Sequence, residues 1–450
     1  MNKPLLYKLL GIAFLSMLLM IPLIMVEEQI MTRSSYQEQV KGEISQSAAG
    51  EQTLVGPVLA IRYRIKIPPV RVRDEKTGKL LTTHPAKQQT HILKRPADQL
   101  NITGKASVER RYRGIYQARL YHMDMKLDGS FTVPADLGLP PQSEGELIDA
   151  HAVLLLGITD LRGMNNDPEV QINAQAMHFQ TPKDETFNSI LAGNRLEMDL
   201  GPVSPGQART FNFAFPMNLT GTERFSITPT ASSNNIKLTS NWPDPSFQGR
   251  FLPQERNIDA QGFEANWAVS GLARNFERAL QANGGVGFNP EALSINFLDT
   301  VNIYLHSERA VKYGSLFIVL TFAAFFLVEI LRRQPIHVMQ YLLVGLALTI
   351  FFLLLIALSE HLAFLYAYLI ASFACIGLII FYLSGALGGI RPAMAFGAGF
   401  VGLYGVLYGI LQSEDNALLM GSLLLFVVLA AIMAGTRHLD WYHLSSSKNA

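Results

Sequence analysis

The sequence predicts a membrane α-helical protein with six spans that also carries a mainly-β, water-soluble domain of antiparallel β-sandwich type. Two observations lead to this fold class. Of the 450 residues, 49% are hydrophobic and only 16% are charged, which is typical of membrane proteins. The long apolar runs are confined to residues 1–26 and 312–436, so the chain separates into membrane and soluble parts.

The first apolar run, residues 5–26, is long enough as a helix to cross a hydrocarbon core of about 30 Å. An acidic segment follows it, where a cleaved signal peptide would carry small residues. We therefore expect residues 1–26 to be a retained transmembrane signal-anchor. Residues 27–50 lack proline and are rich in helix formers, which predicts a stalk helix, with a polar linker as the alternative.

The second apolar region predicts a five-helix transmembrane bundle within residues 312–436. Polar connections divide it into the helices 313–331, 340–358, 362–384, 393–411 and 417–434. Because these connections are too short to cross the membrane, consecutive helices must be antiparallel.

Lys and Arg residues collect on the cytoplasmic side of a membrane protein, which sets the expected orientation. If the N-terminus is inside, that side contains Lys3, Lys8, Arg332, Arg333, Arg391, Arg437 and Lys448. The opposite connections carry Glu360, Glu414 and Asp415 and neither Lys nor Arg. We therefore expect both termini in the cytoplasm, a short tail at 437–450, and residues 51–311 on the outer side.

Within 51–311, short segments with period two or with apolar bursts predict β-strands separated by turns. These segments are 54–65, 116–133, 148–158, 210–219, 225–230, 235–240, 263–270, 292–298 and 301–306. The polar region from the 70s to the 90s and a helical-looking segment at 275–282 do not fit this pattern. Two smaller β units divided near residue 200 are the alternative to one sandwich. The single cysteine, Cys375, falls in the fourth span, so no disulfide can stabilise the domain.

The segment LTSNWPDPSFQGRFLP at 238–253 is unusually rich in proline and aromatic residues. Its prolines fix their own φ angles and restrict the preceding residues, so little loop entropy remains to be lost. We consider two interpretations, in which the aromatic side chains either plug the end of the core or form a preformed ledge for a ligand. The candidate recognition loop consists of Trp242, Pro243, Asp244, Pro245, Ser246 and Phe247.

This segment, followed by Gly262, Phe263 and Trp267, resembles the signature of the CreD family of bacterial inner membrane proteins. Other stretches that resemble family segments, in the same order, are 54–61, 114–124, 310–326, 339–361 and 439–443. The resemblance implies an inner membrane protein of Gram-negative bacteria that maintains cell-envelope integrity and is associated with a two-component regulatory system. It would place the β-rich domain in the periplasm, and it brings no catalytic residues.

Three polar residues in or beside the predicted spans are candidate intramembrane or interfacial sites. Glu329 lies three and four residues before Arg332 and Arg333, which favours an interfacial ion pair, with a proton or ion relay as the alternative. Glu360 and His361 form an outer turn, which we expect to be solvated. A proton or metal site there is the less favoured interpretation.

Glycines in the fifth span form G-x-G-x-x-G, but this copy is embedded in an apolar run and lacks the strand that a nucleotide site requires. Gly402, Gly405 and Gly409 recur near one helical turn. They predict a flat face for helix packing, in the bundle interior or at a contact in a homo-oligomer.

His122 with Asp124, and His151 with Asp149, have strand spacing that could suit a metal, but a third ligand at a recognisable spacing is missing. We therefore expect surface histidines, no metal and no cofactor.

Charge is distributed unevenly along the soluble part. Residues 62–119 contain fifteen Lys or Arg against four Asp or Glu, about +11, whereas the rest of 27–311 carries about −13. Outside the cytoplasm, nucleic acid is excluded as a partner. The expected partners are membrane lipids and an anionic envelope component or acidic protein. The alternative is that the two halves neutralise each other in the fold.

From these observations we expect a non-enzymatic membrane protein whose outer domain binds or senses an envelope component. An ion-coupled transporter is the first alternative, because of the six spans and Glu329, and an enzyme in the outer domain is the second.

Overall fold

The computed structural model describes most of the chain as two compact units. The helical unit comprises Met1–Glu38 and Val301–Ala450, and the β unit comprises Gln39–Thr300. The described residues are 3–73, 80–139, 145–182, 185–188, 190–191, 193–273, 292–297, 303–332, 336–386, 389–413 and 417–437. The predicted helix at 275–282 lies outside them.

The helices begin and end close to the predicted membrane boundaries, except at the first span. They are α1 (Lys3–Ser47), α2 (Ile303–Lys312), α3 (Gly314–Arg332), α4 (Val338–Ser359), α5 (Phe364–Ala386), α6 (Ile390–Gln412) and α7 (Ala417–Thr436). Helix α1 is continuous through both the first apolar run and the polar residues that follow it. Pro22 lies inside this helix.

Five helical segments among the described residues are long and apolar enough to cross a membrane. They are Tyr7–Ser47, Ile303–Ile330, Val338–Ser359, Phe364–Ala386 and Ile390–Gln412. The sixth predicted span corresponds to α7, where the shorter apolar stretch Leu419–Ala434 is found. The structure thus gives several apolar helices, and the number six stays a prediction.

The strand predicted at 301–306 is wrong, because the described part of this segment forms the first turn of α2. Six residues are too few to distinguish period two from period 3.6. The buried side chains of α2 include Tyr304, Ser307 and Val311, a spacing of three and four residues that places them on one helical face.

Aromatic contacts show that α3 and α6 are antiparallel neighbours in the helical unit. The rings of Phe325 and Phe396 are 5.0 Å apart, and those of Phe317 and Tyr404 are 5.4 Å apart. The N-terminal half of α3 therefore lies beside the C-terminal half of α6, and the C-terminal half of α3 lies beside the N-terminal half of α6.

The β unit contains sixteen strands in its described part. They are β1 (Gln52–Ile67), β2 (Val70–Arg73), β3 (Leu80–His84), β4 (Lys87–Arg113), β5 (Tyr116–Val133), β6 (Glu146–Ile158), β7 (Glu169–Ile172), β8 (Gln175–His178), β9 (Arg195–Pro202), β10 (Arg209–Thr222), β11 (Arg224–Thr228), β12 (Ala231–Ser240), β13 (Pro245–Gly249), β14 (Glu255–Asp259), β15 (Gly262–Ser270) and β16 (Leu293–Phe297). The polar region that did not read as strand from sequence thus includes β2, β3 and the start of β4.

Strand pairing links the early and late parts of the β unit. Strands β13-β16-β11-β1-β4-β5-β10-β7-β8 follow one another in the sheet. Most pairs are antiparallel, but β1 pairs with β11 and β12 pairs with β4 in parallel. The predicted antiparallel arrangement therefore does not hold at these two pairs. Because strands from both sides of residue 200 pair with each other, the predicted alternative of two β units divided there is wrong as well.

The core lies along both faces of β1. Leu54, Leu59 and Ile61 pack into the large cluster that the central strands share. Val55 and Val58 pack into a second, smaller cluster with Phe187. The register shift between Val55 and Val58 in the pairing with β6 lets these two residues, three apart, belong to the same cluster. Burial of each such aliphatic side chain contributes about 1.5 to 3 kcal/mol, so the sheet is stabilised from both sides without disulfides.

Candidate functional site

The first half of the proline-rich segment is fixed to β4 by polar and aromatic contacts. The Asn241 side chain accepts a hydrogen bond from the Val108 backbone N–H at 2.8 Å. Trp242 is only 6% exposed and belongs to the main core. The guanidinium of Arg110 lies 5.3 Å from the centre of the Trp242 ring, a cation–π contact. Trp242 is therefore a core residue whose ring is covered by a cation.

The second half of the segment is a strand, where the sequence pattern predicts only a connection between strands. Residues Pro245–Gly249 form β13, which pairs with β16. Phe247 is half-buried and makes edge-on ring contacts with Phe263 at 5.5 Å and Trp267 at 5.7 Å. Residues 243–246 are also half-buried. Sheet pairing and aromatic packing thus hold this segment against the core.

Gly262 lies at the start of β15, where the backbone packs closely against the end of β12. Its φ is +145°, and a Cβ atom there would collide with the carbonyl group of Ser240. Only glycine allows the β14–β15 turn to approach the end of β12 so closely. The close approach places Phe263 opposite Ser240 in the sheet and brings it to Phe247.

Beside Trp242, the turn between β4 and β5 forms an exposed hairpin tip, which we define as residues 109–115. Tyr112 is 66% exposed and Ile115 is 41% exposed. Arg111 pairs with Glu109 at 2.7 Å, and Arg113 pairs with Glu43 at the end of α1. The tip carries three arginines, Arg110, Arg111 and Arg113, which flank the exposed Tyr112 in the sequence.

The basic residues of segment 62–119 that the structure describes are spread along the length of the strands. Arg64 on β1 lies opposite Thr90 on β4, and about twenty residues of strand, or about 65 Å of extended chain, separate Thr90 from Arg110 in the sequence. Arg64 makes a bidentate pair with Asp149 on β6. Hydrogen bonding to this guanidinium lowers the pKa of the Asp149 carboxyl. Acidic residues from outside the segment thus neutralise part of it, as the alternative interpretation predicted.

The two His/Asp pairs are held in separate structural contacts. His122 Nδ1 lies 2.9 Å from Thr220 Oγ1, and its Nε2 lies 3.7 Å from Glu109. Asp149, beside His151, is bound to Arg64. In the described part of the chain, His, Cys, Asp and Glu residues form no group of three that could hold a metal ion.

Glu329 is paired across the helical unit. It accepts a hydrogen bond from Lys8 on α1, and the Tyr341 hydroxyl on α4 lies 3.3 Å from its other oxygen. Lys8 also donates to the carbonyl of Ile336 at 3.1 Å. The local pair predicted with Arg332 and Arg333 concerns side chains outside the described residues. Sequence spacing missed Lys8, because the pair is separated by 321 residues.

Glu360 is less exposed than predicted for a solvated turn. Its side chain is 10% exposed, lies 3.7 Å from Arg33 on α1, and accepts a hydrogen bond from the Tyr304 hydroxyl at 3.3 Å. Its neighbour His361 is exposed, as expected. Glu360 therefore ties α2 and the end of α4 to α1, and its two partners could not be inferred from a two-residue turn.

The glycine face of α6 is mostly open. A Cβ atom at Gly402 or Gly405 would meet nothing within 4 Å, and one at Gly409 would approach only the Met420 side chain at 3.0 Å. Packing of Gly402 and Gly405 in the bundle interior is therefore wrong within the described residues. The close helix contact in α6 is instead at Gly397, against Ile380 on α5. The oligomer contact remains a prediction.

These features define a class of protein: a membrane protein with several apolar helices and a large mainly-β unit that lies, in sequence, between the first helix and the others. The family described as "Inner membrane protein CreD" matches residues 4–442. Inner membrane protein CreD of Escherichia coli (strain K12) is 34% identical over 455 residues, which cover 100% of this chain and 96% of that protein. The chain belongs to the CreD family, as its sequence resemblance predicted.

Solved structures give only distant similarities. An M1 zinc metallopeptidase from Deinococcus radiodurans is 7% identical, with a TM-score of 0.21, over 45% of this chain and 42% of that one. A putative nutrient binding protein from Legionella pneumophila is 11% identical, with a TM-score of 0.22, over 49% of this chain and 73% of that one. At these TM-scores neither similarity bears on fold or function.

Proposed function

We propose that this inner membrane protein supports cell-envelope integrity by binding an anionic envelope component through its β unit, in the periplasm and without catalysis. The hairpin tip and the adjoining Trp242 segment form the binding surface. The observation that carries the proposal is the placement of Arg110 over the buried Trp242 ring, beside the exposed Tyr112.

A rigid base supports this surface. The Asn241 contact and the core packing of Trp242 fix the segment under Arg110, so little ordering entropy opposes binding. Arginine suits a phosphate group because its planar guanidinium donates several hydrogen bonds in a fixed geometry. Tyr112 and Ile115 add apolar area next to the charges, as the interfacial region of a lipid bilayer requires.

A tethering experiment tests this proposal. The full-length protein in phosphatidylcholine nanodiscs is mixed with vesicles of phosphatidylcholine that contain, or lack, phosphatidylglycerol, and co-sedimentation is measured. Each arginine near an anionic surface contributes about 1 kcal/mol. Replacing Arg110, Arg111 and Arg113 with Ala should therefore weaken binding to anionic vesicles by about 100-fold. The effect should shrink at high salt.

The matched control replaces three exposed basic residues elsewhere in the β unit, Lys126, Lys237 and Arg256, with Ala. This variant has the same net charge and should bind like the parent. In cells that lack the parent protein, the control should restore resistance to detergent and the tip variant should not. If the two triple variants bound anionic vesicles equally, the hairpin tip would not be the binding surface.

A second candidate, an ion-coupled transporter, rests on the carboxylate of Glu329 within the helical unit. Its contacts with Lys8 and Tyr341 favour a structural role instead. Under the transporter hypothesis, Glu329→Gln abolishes function while the protein remains as stable as the parent.

A further inference from the structure

The three arginines of the hairpin tip lie on two faces of the hairpin. Side chains alternate between the two faces of a strand, so Arg110 and Tyr112 share the face on which Arg110 covers Trp242. Arg111 and Arg113 lie on the opposite face. The end of α1 contacts this second face, so an anion that binds there encounters a contact that the chain already makes with itself.

The last turn of α1 is fixed to the second face by hydrogen bonds. This face continues across β5 and β10 to Leu120 and Thr222, which lie opposite each other. The hydroxyl oxygens of Thr222 and Ser45 are 2.7 Å apart. Arg162 donates a hydrogen bond to the carbonyl of Gln46 at 2.7 Å, and Leu120 is buried. These contacts hold the end of α1 beside the arginines of the tip.

Glu43, about one turn before the end of α1, places a carboxylate at the tip. One of its oxygens contacts the guanidinium of Arg113. The other oxygen accepts a hydrogen bond at 3.1 Å from the side chain of Gln39, four residues earlier on the helix. Arg113 thus already binds an anionic group that belongs to the chain. Because the end of α1 is fixed, this carboxylate stays at a high effective concentration beside Arg113.

The contact is weak enough for a ligand to replace it. The side chains of Arg113 and Glu43 are 60% and 40% exposed, and ion pairs of such exposure contribute little to stability. Arg111 is paired in a similar way, with Glu109 at 2.7 Å. An anionic surface offers many charges to these arginines, whereas each of the two carboxylates offers one.

We propose that Glu43 regulates the hairpin tip as an internal competitor, which an anionic envelope component displaces from Arg113. This inference rests on the proposed function and adds a means of regulation to the same site. The competing carboxylate belongs to α1, the helix that also contains the first apolar run. By linkage, a change that withdraws the end of α1 from the tip raises the affinity of the tip for the anion, and binding of the anion weakens the contact between α1 and the tip.

A double-mutant cycle in the vesicle assay tests this competition. Glu43→Gln removes the competing charge, so the full-length protein should bind vesicles that contain phosphatidylglycerol more tightly. In the Arg113→Ala background the same substitution removes a carboxylate that has lost this arginine. The gain in affinity should therefore be about two- to fivefold larger in the parent than in Arg113→Ala, which is the coupling expected for an exposed ion pair. Comparison of the two backgrounds cancels the general effect of a lost negative charge.

Glu264→Gln is the matched control, because Glu264 is exposed and forms an ion pair with Lys237 at 2.7 Å on the neighbouring strand. Its effect on vesicle binding should be the same with and without Arg113. Equal gains from Glu43→Gln in the two backgrounds would overturn the competition and leave the tip as the binding surface. If the parent bound anionic and neutral vesicles equally, the proposed function would fail, and the competition with it.

Discussion

At the scale of single residues, Trp242 is a core residue that also supports the proposed binding surface. Its ring fills the core beneath the hairpin tip, while Arg110 covers the outer face of the same ring. The backbone N–H of Trp242 donates to Ser240 Oγ at 3.2 Å, which holds the residue at the end of β12. A ligand at the hairpin tip would therefore contact the guanidinium of Arg110, and the indole ring of Trp242 would fix the position of that guanidinium.

Truncation of Trp242 should be strongly destabilising. Trp242→Ala removes a buried aromatic side chain, so the free energy of unfolding should fall by about 3 to 5 kcal/mol. Gln248→Ala, at an exposed position on β13, should change it by about 0.5 kcal/mol or less. Guanidinium unfolding of the full-length protein, followed by tryptophan fluorescence, measures both. A loss of less than about 1 kcal/mol for Trp242→Ala would contradict the core role.

The Arg64–Asp149 pair should give the β unit a specific acid sensitivity. Arg64 lowers the pKa of Asp149 in the folded protein, so the pair stabilises the fold above the unfolded pKa of about 3.9. This contribution is lost as the pH falls through the lower, folded pKa. Asp149→Asn should therefore lose less stability between about pH 4 and pH 2 than the parent does.

Arg64→Gln provides the control for that prediction. It removes the group that lowers the Asp149 pKa, so its stability should depend on pH as weakly as that of Asp149→Asn. Thermal unfolding at several pH values measures the difference. If stability changed with pH equally in the parent and in both variants, the Arg64–Asp149 pair would not contribute to the acid sensitivity.

At the scale of elements, the Lys8–Glu329 pair should couple α1 to α3. Lys8→Met or Glu329→Gln alone leaves one polar partner without its counterpart, whereas the double variant removes both. A double-mutant cycle on thermal unfolding in detergent should give a coupling free energy of about 0.5 to 3 kcal/mol. The exposed pair Lys312–Glu308 on α2 is the control, with an expected coupling of about 0.3 to 0.5 kcal/mol.

The cycle also separates the two functional candidates. A stable Glu329→Gln variant that fails to support envelope integrity would favour the transporter. A destabilised variant whose function returns in the double variant would favour the structural role.

Elements with long, regular patterns could be predicted from sequence, and contacts between distant elements could not. The strand predicted at 116–133 coincides with β5, because its polar and apolar residues alternate over many positions. The alternation of Phe263, Ala265, Trp267 and Val269 likewise matches the buried face of β15. For Glu329, however, helical spacing offered only nearby arginines, and nothing local pointed to Lys8.

At the scale of the whole molecule, membrane orientation can be tested with cysteine labelling. Cys375 is buried, and Cys375→Ala provides a background for single introduced cysteines. With both termini in the cytoplasm, His361→Cys and Gln248→Cys should react with a membrane-impermeant maleimide in cells with a permeabilised outer membrane. Arg391→Cys should react only after lysis. Labelling of Arg391→Cys before lysis would contradict the orientation.

The parallel pairing of β1 with β11 has a consequence for how the β unit forms during synthesis. Gln52 lies opposite Phe225, and Phe225 lies opposite Ile295. The ribosome therefore makes β1 long before its partner β11, and β11 before β16. Pairing between such distant segments slows folding and prolongs the exposure of unpaired strand edges. The Gln52–Val55 end of β1 must consequently wait, open to aggregation or to a chaperone, until β11 has been translated, although the rest of the strand can pair earlier with β4 and β6.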